Sequence, residues 1–96
     1  MTNKEHHAAI CQELTSLYER KNHDYGDSFR RSWEKYGLLM LIIRLDDKLS
    51  RLATLAQGSA PQVKDESIRD TLADIANYCI MGVMELDQDA KSREGA

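Results

Sequence analysis

Residues 37–56 read GLLMLIIRLDDKLSRLATLA. Leu38, Ile42, Leu45, Leu49, Leu52 and Ala56 recur at spacings of three and four, which at ~100° per residue keeps them on one side of a helix. The pattern predicts a helix from about Ser32 or Trp33 to Ala56. Its first half differs, because Leu39, Met40, Leu41 and Ile43 make it apolar all round. A segment of that kind is buried on several sides.

Working outward, Ile10, Leu14, Leu17 and Tyr18 predict a first helix over about Lys4 to Lys21, with Thr2 or Asn3 as its cap. Asn22 to Ser32 (NHDYGDSFRRS) reads as a polar loop, since Asn, Asp and Gly favour turns. Gln57 to Lys64 (QGSAPQVK) holds Gly58 and Pro61, a helix stop followed by a connector. A third helix is expected from Asp65 or Glu66 to Leu86, with Ile68, Leu72, Ile75, Cys79, Val83 and Leu86 as its apolar face. Its second half, with Ile80, Met81 and Met84, is again apolar nearly all round. The expected fold is all-α: three helices with a long antiparallel hairpin, in one domain over 1–96, frayed at 1–3 and 87–96. Two such half-helices exceed what a soluble monomer exposes, so a homo-oligomeric bundle, dimer or tetramer, is expected. The simpler reading is that the first helix covers both.

At 96 residues the chain has room for one core. Thirteen Lys+Arg against sixteen Asp+Glu give a charge of −3, which argues against direct nucleic-acid binding or attachment to an anionic membrane. Cys11 and Cys79 lack metal-ligand or framework spacing and read as reduced core residues. Residues 1–9 lack the apolar stretch of a signal peptide, and the apolar run 37–43 is too short to span a bilayer; a cytoplasmic protein is expected.

The chemistry concentrates in three places. On the third helix Glu66, Asp70, Asp74 and Asn77 share one direction, and Met81 carries the line into an apolar region. Such a stripe is ordinarily a solvated surface, but carboxylates entering a buried region need partners, and Mg²⁺ is one. On the second helix Arg44, Asp47, Lys48 and Arg51 share a face. They either pair along the helix or present Asp47 to a metal and the three cations to phosphate oxygens. The loop crowds Lys21, Asn22, Asp24 and Tyr25 around Gly26, either as a capped turn or as a site where Tyr25 stacks on a base and Lys21 meets a phosphate. The Ser, Cys and P-loop motifs of nucleophilic or phosphate chemistry are missing.

Three stretches together carry a resemblance. Tyr18-x-x-Lys21-Asn22-x-Asp24-Tyr25-Gly26-Asp27-Ser28-Phe29 comes first, then Arg44-x-Asp46-Asp47-Lys48-x-x-Arg51-Leu52. Asp65-Glu66-Ser67-Ile68-x-Asp70-Thr71-Leu72-x-Asp74-x-Ala76-Asn77-Tyr78 follows. Over about Tyr18 to Leu86 they resemble the nucleotide modification associated domain of the first type, frequent in phages and bacteria. That domain looks like the MazG-like all-α NTP pyrophosphatases, whose helical bundle holds Mg²⁺ between an ExxE and a later ExxD motif. The likeness implies Asp47, Asp70 and Asp74 as metal ligands. The candidate nucleotide-binding residues beside them are Lys21, Asn22, Asp24, Tyr25, Arg44, Lys48, Arg51 and Asn77. The chain departs from the pattern where Arg44 and Thr71 stand three residues before Asp47 and Asp74, at carboxylate positions. The expected function is nucleotide binding, with Mg²⁺-dependent NTP pyrophosphohydrolysis as one outcome. The other is a phage sponge that sequesters a nucleotide or cyclic-nucleotide defence signal without hydrolysing it, which the cation at position 44 favours.

Overall fold

The computed structural model describes the chain except residues 26, 59–60 and 96, and the side chains except those of 24–26, 59–66 and 95–96. The described residues form four helices: α1 (Asn3–Tyr25), α2 (Ser28–Tyr36), α3 (Leu38–Gln57) and α4 (Pro61–Gly95). Among the described residues there is no strand, and no helix is long and apolar enough to cross a membrane.

The all-α expectation stands, with four corrections to its elements, the first being that α4 begins at Pro61, inside the stretch expected as a connector, rather than at Asp65 or Glu66. The second helix is two helices, because Gly37 adopts φ 65° and ψ −152°, a conformation that side-chain-bearing residues avoid. Its N–H donates to the Trp33 carbonyl at 2.7 Å, which ends α2, and α3 starts at Leu38. The expected loop over Asn22–Ser32 is mostly helical: α1 runs on to Tyr25, and α2 begins at Ser28. Polar turn-formers dominate there, but Phe29 and Trp33 sit four apart on one face of α2, and packing overrides local propensity. The expected tail at 87–96 is helix as far as Gly95. It holds no breaker before that glycine, and Asp89 accepts a 3.0 Å hydrogen bond from the Trp33 indole.

α1 opens on a capping box. Thr2 Oγ1 accepts from the Glu5 N–H at 3.1 Å, while Glu5 Oε1 accepts from the Thr2 N–H at 3.0 Å. α3 and α4 form an antiparallel hairpin, since Leu41 meets Gly82 and Lys48 meets Asp74. A Cβ on Gly82 would lie 2.5 Å from Leu41 Cδ2, so the helices approach closely there. α2 lies on this hairpin through Trp33, Met40 and Leu41, with Phe29, Leu45 and Tyr78 around them. α1 lies on α4 with Leu14 buried. Its carbonyl accepts a 3.1 Å bond from buried Asn77 Nδ2, and Glu13 forms a bidentate pair with Arg69 at 2.7 and 3.2 Å.

The apolar stripes of the hairpin are the largest surprise. Leu38, Ile42 and Leu49 of α3 and Leu72, Val83 and Leu86 of α4 are exposed, although periodicity marks them as core. Cys11 and Cys79 are free and exposed as well, so neither is the core residue expected. In their place α4 turns Thr71, Asn77, Tyr78, Met81 and Gly82 toward its neighbours.

Candidate functional site

A cleft of about 280 Å³ opens where α1, α2, α3 and α4 meet. Asp74 of α4 stands at its centre. Its Oδ1 accepts a hydrogen bond from Lys21 of α1 at 3.0 Å, and its Oδ2 accepts one from Lys48 of α3 at 3.1 Å. One carboxylate thereby ties three helices. Its half-buried setting disfavours the charged form, but the hydrogen bonds and positive charges of the two lysines outweigh this and hold the carboxyl below its ordinary value.

Arg44 lies one helical turn before Lys48 on α3. Its guanidinium is half-buried, 5.7 Å from the Phe29 ring and 6.0 Å from the Tyr78 ring. These rings pack 6.2 Å apart, and Phe29 stacks in turn on Trp33 at 6.4 Å. Among the described residues Arg44 has no carboxylate partner. Among the described residues three cations therefore line the cleft with one carboxylate, a local excess of positive charge in a chain of net −3. Tyr18, Asn22, Ser28, Asn77 and Met81 complete the walls. Partly desolvated guanidinium and ammonium groups beside aromatic faces suit an anion carrying a flat ring.

Of the residues read from the sequence as candidates, Lys21, Asn22, Arg44, Lys48, Asp74 and Asn77 line this one cleft, with Asp74 paired to the lysines. Asn77 has a second task, since its amide nitrogen is committed to the Leu14 carbonyl. Arg51, Asp47 and Asp70 are exposed and stand outside the cleft lining. The side chains of Asp24, Tyr25 and Glu66 lie outside the described residues. Thr71 is buried and donates its hydroxyl to the Ser67 carbonyl at 2.7 Å, a purely internal bond. The ring residues Tyr18, Phe29 and Tyr78 line the cleft without being candidates from sequence, although all three stand in the quoted motifs. An aromatic at helical spacing reads as core until a neighbouring helix places a cation over it.

The residues present do not fit Mg²⁺ within one chain. Among the described residues no three of His, Cys, Asp and Glu converge on a metal position. Asp47 and Asp70 are turned outward, and both oxygens of Asp74 already accept from ammonium groups.

Fold and site together define an all-helical domain with a cationic, aromatic-walled cleft between its helices. The family described as Nucleotide modification associated domain 1 matches residues 21–86, and the chain belongs to that family. The matched stretch opens on Lys21 and includes every cleft residue named above except Tyr18. No curated protein and no solved structure matches the chain.

Proposed function

We propose that the chain binds a nucleotide in this cleft without hydrolysing it, its phosphates on Arg44, Lys48 and Lys21 and its base against the aromatic wall. Arg44 carries the reading. A half-buried guanidinium between two rings, with no described carboxylate partner, is a costly arrangement unless an anion completes it. A cleft of about 280 Å³ lies near the lower end of ligand pockets, roughly 300–1,000 Å³, so part of a nucleotide stays at the mouth. A protein that binds and does not turn over its ligand lowers the free concentration of that ligand, which is the action of a sponge; cyclic nucleotides are included.

The MazG-like likeness offers the second reading, Mg²⁺-dependent hydrolysis of a nucleoside triphosphate. Asp74 separates the two. Under hydrolysis, Asp74→Asn removes a metal ligand and abolishes turnover. Under binding alone, the same change frees two lysines and strengthens anion binding several-fold, on the order of 3–10-fold. The experiment is thermal unfolding and calorimetry with nucleoside mono-, di- and triphosphates and cyclic dinucleotides, with Mg²⁺ or with EDTA, followed by product analysis. The expected result is a rise in Tm that persists in EDTA, with the nucleotide recovered intact. No shift with any of them overturns both readings.

A further inference from the structure

The hairpin has two faces, and only one is covered. Take the Leu41–Gly82 contact as the reference direction on each helix. At ~100° per residue, Leu49 of α3 stands about 80° round from Leu41, and Leu72 and Val83 of α4 stand about 80–100° round from Gly82, in the same rotational sense. Because the helices are antiparallel, both stripes emerge on the same side of the hairpin. Asp74 and Met81, which line the cleft, lie on the opposite side of α4. Thus α1 and α2 cover one face, and the other is a sheet of exposed aliphatic side chains.

The exposed face of α4 is also regular. Leu72, Ala76, Cys79, Val83, Leu86 and Ala90 alternate spacings of four and three, the seam of a coiled coil. Leu72 is 50% exposed and Val83 56%, while Cys79 and Ala90 are exposed. α3 adds Leu38 and Ile42, about 60° and 100° round from Leu41 in the same sense, and both are exposed.

We infer that this face is closed by a second copy of the chain, hairpin against hairpin, giving a four-helix layer with the two clefts outside it. The area argues for it. A monomer of 11.0 kDa exposes about 5,600 Å², whereas this chain exposes 7428 Å². The excess, about 1,800 Å², is more than the ~800 Å² per partner of a standard interface and falls within the range of obligate homodimers. The radius of gyration is 15.7 Å against about 12.5 Å for a compact chain of this length. A lipid surface is a poor alternative occupant, because Asp46 and Asp87 border the face and the chain is net negative.

The test is sedimentation of the full chain at micromolar concentration. The expected mass is at least twice 11.0 kDa, falling to 11.0 kDa in Ile42→Glu with Val83→Glu. Tyr36→Glu, on an exposed residue of α2 away from the hairpin face, leaves the wild-type mass unchanged. Native maleimide labelling of the wild type needs no variant: Cys79 in the seam reacts at least about tenfold more slowly than Cys11, and dilution removes the difference. A wild-type mass of 11.0 kDa assigns the face to a different occupant and overturns the proposal. Equal labelling of the two thiols, or an assembly that survives both glutamates, does so too.

Discussion

Arg44 and Asp74 line the same cleft with opposite charges and opposite partners: Arg44 has rings, and Asp74 has ammonium groups. The cleft therefore holds an internal anion that a ligand phosphate must outcompete for the lysines. Arg44→Ala is expected to cost about 1.5–3 kcal/mol of ligand binding, roughly 10- to 100-fold in Kd by calorimetry, with little change in helicity. The depressed carboxyl of Asp74 also gives stability a direction with pH. The folded chain binds fewer protons there than the unfolded one, so the tie is complete above the ordinary value of 3.8 and is lost as pH falls through the lowered one. Acid unfolding followed by circular dichroism should show a steeper loss below about pH 4 in wild type than in Asp74→Asn; identical profiles would remove the claim. At this scale the sequence was informative about charge and silent about rings. Lys21, Arg44, Lys48 and Asp74 were visible as polar residues at helical spacing, whereas Phe29 and Tyr78 become ligand-facing only through the crossing of α2 over the hairpin.

Among elements, the long hairpin was legible because apolar periodicity persists over many turns, and its interruption was not. Gly37 sits inside an unbroken apolar and charged pattern, and nothing in composition says that its φ will be 65°. An added Cβ there meets no atom within 4 Å, so Gly37→Ala carries only a backbone cost, about 1–3 kcal/mol of stability. Chemical denaturation should read that loss. Gly82 is the opposite case. Its backbone is ordinary helix, but its missing side chain lets α3 and α4 touch, and Gly82→Val is expected to cost about 1–3 kcal/mol through overpacking against Leu41. Retained stability in that variant would mean the helices can separate at no cost. The end of α4 is illegible in the sequence for a related reason: residues 87–95 are almost wholly polar, and what ties them to the fold is the Trp33 indole hydrogen bond from α2.

For the whole molecule, the four buried hydrophobic side chains among the described residues, Leu14, Trp33, Met40 and Leu41, are a thin core. If the bare hairpin face is closed by another copy, folding and association are one equilibrium, and Tm rises with protein concentration. A Tm constant across a hundredfold dilution, on the order used for such linkage, would count against it. The apolar stripes were plain in the sequence; that they face away from the chain's own other helices was not, because periodicity reports burial without naming what buries. α4, 35 residues long, is about 52 Å by helical rise and matches the longest dimension of the molecule, 52 Å. Near its far end the one tryptophan of the chain joins both regions of interest: its indole N–H binds Asp89, and its ring stacks on Phe29, which faces Arg44. Trp33 is consequently an optical gauge built into the protein, whose emission registers, without any added dye, both a ligand entering beside Phe29 and the loosening of the last turns of α4.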